Sequence, residues 1–430
     1  MSQILDAREK RSEHIKELMK EYINNSIVIM KANVPGINKN PVNMIFICRY
    51  YNELMNKTFG DRVIISRQVK SLDGDYLFFV INEAGNVVKE KTILIEEDNI
   101  LGRLVDIDVF DKFAITRTKL QCEMRKCLIC DNYAHICARS KTHSEKAVFN
   151  KINEIITEFL SNLILNSTIS SIYNELHLYP KFGLVSERNS GCHEDMDANT
   201  FVRSIFAIKS YINEFVLYGI NDLDNPSKLQ EIGKAAESAM FEATNGVNTH
   251  KGLIFALGVF LPALTKAILK QKDSEYIKEE IEHISSSIIG NYYDNLESKK
   301  NKTHGDLIYL THNLKGIRGE ALNGFKIIFD LPKYNDRPNV NRYHEYLLHL
   351  MSKLDDTTIV HKTNIETLYE VKSTFKEITE NGGYTLNKKM VQNISNDYIN
   401  RTISPGGSAD LLVLKIIYEQ LNYLLNKCIM

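Results

Sequence analysis

The chain has 430 residues, 43% of them hydrophobic and 25% charged, with a formal net charge of -1 and a pI near 6.9. That length predicts two or three domains of about 100–200 residues each, and the missing basic excess argues against a general nucleic-acid binder. Seven cysteines, an odd number behind a charged N-terminus, read as the reduced thiols of a cytoplasmic protein.

The opening MSQILDAREKRSEHIKELMKEY reads as an amphipathic helix. Short β-rich runs follow: SIVIMKANV, RVIISRQV, DYLFFVIN, VVKEKTILIEE, RLVDIDVF and FAITRT, the last ending at Thr118. NEAGN, residues 82–86, predicts a hairpin turn between two of them. Within RLVDIDVF, Asp106 and Asp108 stand two apart on a predicted strand, so both carboxylates project from one face. Two acids among Leu, Val and Ile call for a cation, and a strand-borne D-x-D suits magnesium held against a triphosphate. A strand with an acidic solvent face is the plainer alternative.

RTKLQCEMRKCLICDNYAHICARSKTHS, residues 117–144, is the most basic stretch, carrying Arg117, Lys119, Arg125, Lys126, Arg139 and Lys141, with Lys146 just beyond. Cys127, Cys130, Cys137, His135 and His143 also raise the question of zinc. Only the C-x-x-C pair has the regular spacing of a structural zinc site, so phosphate clamping by the basic set is the preferred reading.

A long helix is expected from near Thr142, where Thr142 and Glu145 fit a capping box. From about Asn166 the pattern becomes helix after helix, with apolar residues three and four apart. GCHEDMDANTF, residues 191–201, crowds His193, Glu194, Asp195 and Asp197 together; such a loop is either a magnesium site or a solvated loop capping the next helix. Asn225-Pro226 supplies a cap and first-turn proline for a helix ending near Ala243. The longest apolar run, Gly252 to Leu264, is shorter than the ~20 residues of a spanning helix and reads as a core helix, so no membrane association is expected. The expected architecture is an N-terminal mixed α/β (α+β) domain with a small sheet, residues 1–164, and a C-terminal all-α helical domain, residues 165–430.

Longer motifs are family-specific. ILDAREKRSEHI (4–15), NVPGINK, ILGRLVDIDV and RKCLICDNYAHICARSKTHS resemble the citrate lyase holo-acyl-carrier-protein synthase family, also called apo-citrate lyase phosphoribosyl-dephospho-CoA transferase. KFGLVSERNSGCHEDMDANTF, GVNTHKGLIFALG, GIRGEALNGF, LMSKLDDT and ISPGGSADLL, between Tyr179 and Leu412, resemble a second family, triphosphoribosyl-dephospho-CoA synthase. Phe182 stands where that family's PKPGLVS pattern has proline. HKTN, His361 to Asn364, departs from its HRGG ending, so no role is carried onto Lys362 to Asn364.

The resemblance implies a fused bifunctional transferase. The C-terminal half would join ATP to 3'-dephospho-CoA, releasing adenine and yielding 2'-(5''-triphosphoribosyl)-3'-dephospho-CoA. The N-terminal half would transfer phosphoribosyl-dephospho-CoA to a serine of the acyl carrier (gamma) subunit of citrate lyase, releasing pyrophosphate. Mg2+ is the expected cofactor; the carrier subunit, ATP and 3'-dephospho-CoA are the expected partners. Two alternatives are the equivalent pathway of malonate decarboxylase and a non-catalytic, zinc-stabilised binding module.

Under this chemistry Asp106, Asp108, Asp195 and Asp197 are expected to hold metal, with Asp355 and Asp356 of LDDT completing a shell or orienting a ribose. Glu194 or His193 is the expected base. Backbone N–H groups at the helix starts after NGVNTHKG and SPGGSAD favour phosphate, which assigns Asn248, His250 and Lys251 to one site and Ser404, Gly406, Gly407 and Asp410 to another. Lys181, Arg318 and Glu320 join them in the C-terminal half, and Arg103, Arg125, Lys126 and Arg139 are the expected phosphate ligands of the N-terminal half.

Overall fold

The structure, a computed structural model, describes residues 2–290, 292–334 and 338–425. The chain divides into two compact units. The N-terminal unit comprises the chain up to Ser161 with Ile268–Gln271 and the residues from Asn422 onward; the C-terminal unit comprises Asn162–Ala267 and Lys272–Leu421.

In the N-terminal unit, helix α1 (Ser2–Glu21) leads into strand β1 (Ser26–Ala32), helix α2 (Ile45–Phe59), strands β2 (Val63–Val69) and β3 (Tyr76–Ile81), helix α3 (Gly85–Glu97), strands β4 (Val105–Phe110) and β5 (Ala114–Ile115), and helix α4 (Ala134–Ser140). The strands form one antiparallel sheet in the order β2-β3-β1-β4-β5, the small sheet with helices that the sequence predicts. Alternation sends Val28, Met30, Leu77, Phe79, Ile81, Ile107 and Val109 to one buried face. The opposite face carries Ile27, Ile29, Phe78 and Val80, on which Leu18 of α1 packs with Ile15, Met19 and Tyr22.

Two local expectations fail. VVKEKTILIEE is helix α3, not a strand, and NEAGN therefore leads into a helix rather than closing a hairpin. Its buried residues Val88, Thr92 and Glu96, and Lys89 and Ile93, recur every four positions, the helical period that a glance at its β-branched residues obscures. The long helix α5 (Glu145–His177) is not capped by Thr142, whose hydroxyl pairs with Ser140 at 2.7 Å; Ser144 Oγ accepts the Ala147 N–H at 3.2 Å instead.

Beyond α5 the C-terminal unit is helical throughout, as predicted: α6 (Ala198–Ile220), α7 (Pro226–Ala243), α8 (Lys251–Lys270), α9 (Ser274–Ile289), α10 (His304–His312), α11 (Gly316–Leu322), α12 (Lys326–Phe329), α13 (Asn339–Lys353), α14 (Thr357–Lys362), α15 (Ile365–Glu380), α16 (Gly383–Asn400) and α17 (Gly406–Leu421). Asn225 Oδ1 accepts the Lys228 N–H at 3.1 Å with Pro226 first in α7, the cap read from the sequence. Helix α8 extends beyond the apolar run to 20 residues, and both it and α5 are long and apolar enough to cross a membrane by length and composition. In α8, 83% of the apolar window is nonetheless buried within the protein.

Candidate active sites

The register of the N-terminal sheet arranges one face in rows. Ile65, Val80, Ile27 and Phe110 lie side by side, then Arg67, Phe78, Ile29 and Asp108, then Val69, Tyr76, Lys31 and Asp106. The face thus grades from apolar to charged. Buried Asp73 accepts an ion pair from Arg11 and lies 3.8 Å from Arg8 and 3.7 Å from Lys31, so one carboxylate gathers three cations and leaves a positive surplus. A cavity of about 410 Å³ opens here, lined by Arg8, Arg11, Lys16, Lys31 and Asp108. A second, of about 220 Å³, is lined by Lys89, Glu96, Asp106, Arg117 and Arg125, and Asp108 lines this one too.

The two aspartates project from the same face of β4, Asp106 half-buried and Asp108 exposed. Arg125 Nη1 donates to Asp106 Oδ1 at 3.0 Å and to the Val105 carbonyl at 2.8 Å. Burial pushes the Asp106 carboxyl up from the usual carboxylate range; Arg125 opposes that and the Asp108 charge adds to it. Glu96, buried on α3, is 2.6 Å from both Arg125 and Arg117 and accepts the Ile107 N–H at 2.9 Å. Lys89 donates to the Ile107 carbonyl at 2.7 Å, so the outer edge of β4 is closed by side chains. Paired carboxylates flanked by fixed cations suit a polyphosphate bound with a divalent ion.

Of the four basic residues expected here, only Arg125 lines the cavity. Arg103 donates to the Lys126 and Cys127 carbonyls and so holds the cysteine-bearing loop, while Lys126 and Arg139 are exposed. Sequence reasoning gave no role to Arg8, Arg11, Lys31, Asp73, Lys89 or Glu96. The three-residue spacing of Arg8 and Arg11 on a helical opening was the available signal.

In the C-terminal unit the first turn of α17 is the meeting point. Asp356 caps α14 through the Thr358 N–H (3.0 Å), and also accepts from Gly407 N (3.2 Å), Ser408 N (2.8 Å) and Ser408 Oγ (3.0 Å). Four donors fill the roughly four acceptor positions of a carboxylate. The N–H groups of Gly407 and Ser408 are therefore occupied by protein, and Asp356 joins two helix starts.

Beneath that turn lies a small cavity of about 60 Å³, bordered by Glu175, Lys181, Thr249, His250, Gly406 and Asp410. It is far below the ~300–1,000 Å³ of a whole ligand pocket, so it has room for only a small part of a ligand. Lys181 and Glu175 are buried 2.7 Å apart, and burial pushes both toward their neutral forms. His250, 3% exposed, is held to about 3 by burial and the nearby Lys181 charge. Thr249 Oγ1 donates to Ser204 Oγ at 2.8 Å, and Ser204 Oγ lies 2.6 Å from His250 Nδ1. Nε2, the other ring nitrogen, is buried and has no hydrogen-bond partner among the described residues. Burial, with the carboxylates of Asp356 and Glu175, pushes Asp410 well above the usual carboxylate range. Its Oδ2 lies over Gly252 so closely that a Cβ there would sit 2.2 Å away.

The acidic loop stands beside this cluster. Gly191 takes φ +60, and a Cβ would meet the Gly183 carbonyl at 2.2 Å. Cys192 N closes the loop onto that carbonyl at 2.9 Å. His193 Nε2 is 3.1 Å from Ser404 Oγ, and Lys362 Nζ is 3.2 Å from His193 Nδ1. Burial and Lys362 together hold His193 to about 4, a neutral ring near pH 7. Glu194 and Asp195 are exposed. Asp197 is the N-cap of α6, accepting from Thr200 N and Thr200 Oγ1 at 2.8 Å each, and those bonds hold its carboxyl below the usual range. Phe182 has φ +52 and donates its N–H to Ser395 Oγ at 3.0 Å. Proline permits neither, so the loop backbone differs here from one built on the PKPGLVS pattern.

The remaining expected residues take other positions. Asn248 Oδ1 caps α8 through Lys251 N at 3.2 Å, and Lys251 Nζ is 3.2 Å from Glu237. Arg318 stacks 4.7 Å over the Tyr292 ring, Asp355 pairs with Lys372 at 2.6 Å, and Glu320 is pushed up by burial and the Asp355 charge. Among the described residues, no three of Glu194, Asp195, Asp197, Asp355 and Asp356 converge on a common ion position. Glu175 was not singled out from the sequence and Lys362 was given no role there; both are recognisable only once their partners, Lys181 and His193, are in place.

Residues 162–428 match the CitG family, ATP:dephospho-CoA triphosphoribosyl transferase, and residues 1–159 match CitX, apo-citrate lyase phosphoribosyl-dephospho-CoA transferase. The chain is similar to Protein CitXG of Leuconostoc mesenteroides subsp. cremoris, at 31% identity over 454 residues, covering 98% of this chain and 97% of that one. Protein CitXG of Haemophilus influenzae is 29% identical, covering 96% and 95%. The 2-(5''-triphosphoribosyl)-3'-dephosphocoenzyme-A synthase of Haemophilus ducreyi is 32% identical, covering 69% of this chain and 100% of that protein.

Proposed function

The chain belongs to the CitX and CitG families, joined in one polypeptide, and from that premise we propose that its two units carry out consecutive steps in making and attaching the citrate lyase prosthetic group. The observation that supports this most is that each unit builds its own charged cavity, with no residue shared between the two.

In the C-terminal unit, the 2'-hydroxyl of 3'-dephospho-CoA attacks the ribosyl carbon that bears adenine in ATP, and adenine departs from an oxocarbenium-like state. Asp410, whose carboxyl burial pushes well above the usual carboxylate range, is the group placed to give a proton to the departing base, and the proton that the attacking 2'-hydroxyl releases restores it through solvent. The unpartnered Nε2 of His250 is the ring atom free to hydrogen-bond a ribose or phosphate group, and Lys181 supports it from the cavity wall. In the acidic loop Asp197 is committed to its cap while Glu194 and Asp195 are exposed, so the residues there do not fit a resident magnesium ion, and no step is assigned to one.

In the N-terminal unit, a serine of the acyl carrier subunit attacks the phosphorus next to the ribosyl group, and pyrophosphate leaves. Asp106 and Asp108 fit a magnesium ion, which when bound would neutralise charge on the leaving pyrophosphate. Arg8, Arg11 and Lys31 bind the phosphate chain, and Arg125, locked to Glu96, fixes the Asp106 carboxylate. A cytoplasmic setting, where ATP and dephospho-CoA meet, completes the reading.

The test is to incubate the full chain with ATP and 3'-dephospho-CoA, with and without apo carrier subunit, measuring adenine by chromatography and carrier mass by mass spectrometry. Asp106→Asn and Asp108→Asn should each abolish carrier modification while adenine release continues. Carrier modified at the parent rate by both variants would remove these aspartates from the mechanism.

A further inference from the structure

Residues 121–146 fold almost without a core: Cys137, 5% exposed, is the one buried side chain among them. A segment so poor in apolar burial needs a staple. Four donor atoms converge inside it. Sγ of Cys127, Cys130 and Cys137 and a ring nitrogen of His143 all lie within 4.8 Å of one another. Cys130 Sγ is 3.5 Å from Cys137 Sγ and 3.3 Å from His143 Nε2. Bond lengths of about 2.3 Å to sulfur set neighbouring donors of a tetrahedral zinc site about 3.7 Å apart, close to these separations.

The backbone is arranged to deliver these donors. A tight turn pairs Lys126 with Tyr133, Cys127 N donating to the Asn132 carbonyl at 2.7 Å and Ala134 N to the Arg125 carbonyl at 2.9 Å. This brings Cys127 and Cys130 side by side, with the Ile129 N–H directed at Cys127 Sγ at 3.5 Å. Helix α4 then presents Cys137. Lys141, at φ +51, ends α4, and Thr142 N returns to the Cys137 carbonyl at 3.1 Å, which places His143. His135 is exposed and stacks on Tyr133, outside the cluster. The sequence offers no second regular pair; helix α4 and its C-terminal turn supply the third and fourth donors instead.

We infer that Cys127, Cys130, Cys137 and His143 bind one structural zinc ion, which holds the 121–146 segment against the N-terminal active site. The coupling runs through Arg125, two residues before the first ligand, whose guanidinium contacts both Glu96 and Asp106. The coupling rests on the transfer reaction proposed above, whereas metal binding itself does not.

Untagged full-length protein, purified without chelator, should carry one zinc per chain by elemental analysis. Titration with an organomercurial should release it in step with the modified thiols. Replacement by Co2+ should give the intense visible absorption of a tetrahedral thiolate site. Cys137→Ser and His143→Ala should lose the metal, while His143→Cys and His135→Ala retain it. Metal-free protein should lose carrier modification and keep adenine release. Near-zero zinc with no tetrahedral cobalt spectrum, a Cys130–Cys137 disulfide in freshly isolated protein, or metal lost in His135→Ala but kept in His143→Ala would each overturn the site. If a ligand variant fails to fold, the mercurial and cobalt measurements on the parent protein decide. One zinc per chain with carrier modification unaffected by its removal would overturn the coupling and leave the site standing.

Discussion

Gly252→Ala tests whether Asp410 must stand where it does. The added methyl would meet Asp410 Oδ2 at 2.2 Å, where ordinary contact begins at 3.4 Å, so the carboxyl or the start of α8 must yield by more than 1 Å. Overpacking of this kind costs about 1–3 kcal/mol. Alanine recovers at most about 1 kcal/mol of helix propensity. The net loss of about 0–3 kcal/mol lowers the melting temperature of a unit this size by about 12 °C at most, at about 2–4 °C per kcal/mol. Catalysis is more sensitive, since a displacement near 1 Å can cost about 100-fold in rate. Adenine release should therefore fall by about that factor while carrier modification from preformed triphosphoribosyl-dephospho-CoA stays at the parent rate. Adding Asp410→Ala to the variant relieves the clash and should raise the melting temperature again, with no return of adenine release. A Gly252→Ala protein that releases adenine within threefold of the parent would refute the reasoning.

Other expectations follow from single contacts. Asp356→Ala strands buried donors at the starts of α14 and α17, and at about 1–3 kcal/mol per buried group it should lower the melting temperature sharply; an unchanged melt would show that the two helix starts do not depend on it. Asp197→Asn preserves a good N-cap and should leave adenine release near normal, whereas Asp197→Ala should cost about 1 kcal/mol in a denaturant titration. His193 and His250 are held to about 4 and about 3 in the folded protein against 6.5 for an unperturbed ring. The unfolded chain therefore takes up protons first; stability is complete above about pH 6.5 and is lost as pH falls toward 4. Melts between pH 7.5 and 5 should show that slope, and His250→Gln should flatten it. The exposed Lys141 and Lys146 are expected to steer the carrier subunit, so salt should weaken carrier affinity more than donor affinity, screening being nearly complete beyond about 8 Å at physiological ionic strength. Equal salt sensitivity of the two substrates would leave these lysines without a docking role.

The sequence was most legible where chemistry and periodicity coincide. Asp106 and Asp108 share a strand face because a strand repeats every two residues, and that follows from their spacing alone. Lys181, His250 and Asp410 were named from three distant motifs, and the fold brings them to one cavity. What stayed hidden depends on register and on partners. Lys31 faces Asp106 only through the pairing of β1 with β4, and no local pattern reports that pairing. Asp356 looked like a metal ligand because its neighbour is also acidic; its four donors come from residues up to 52 positions away. Arg103 and Arg125 look alike in sequence, yet one holds a loop backbone and the other the Asp106 carboxylate.

The closure of β4 by Glu96 and Lys89 has a consequence for association. An uncovered strand edge is a template for a strand from another chain, the route both to peptide recognition by sheet extension and to aggregation. At Ile107 that template is blocked by two side chains that also line the cavity beside Asp106. On the function proposed above, the carrier subunit is expected to be recognised through side chains rather than by adding a strand here. Colloidal behaviour is tied to the same pair: Glu96→Ala would expose the Ile107 N–H, and self-association should accompany the loss of transfer activity.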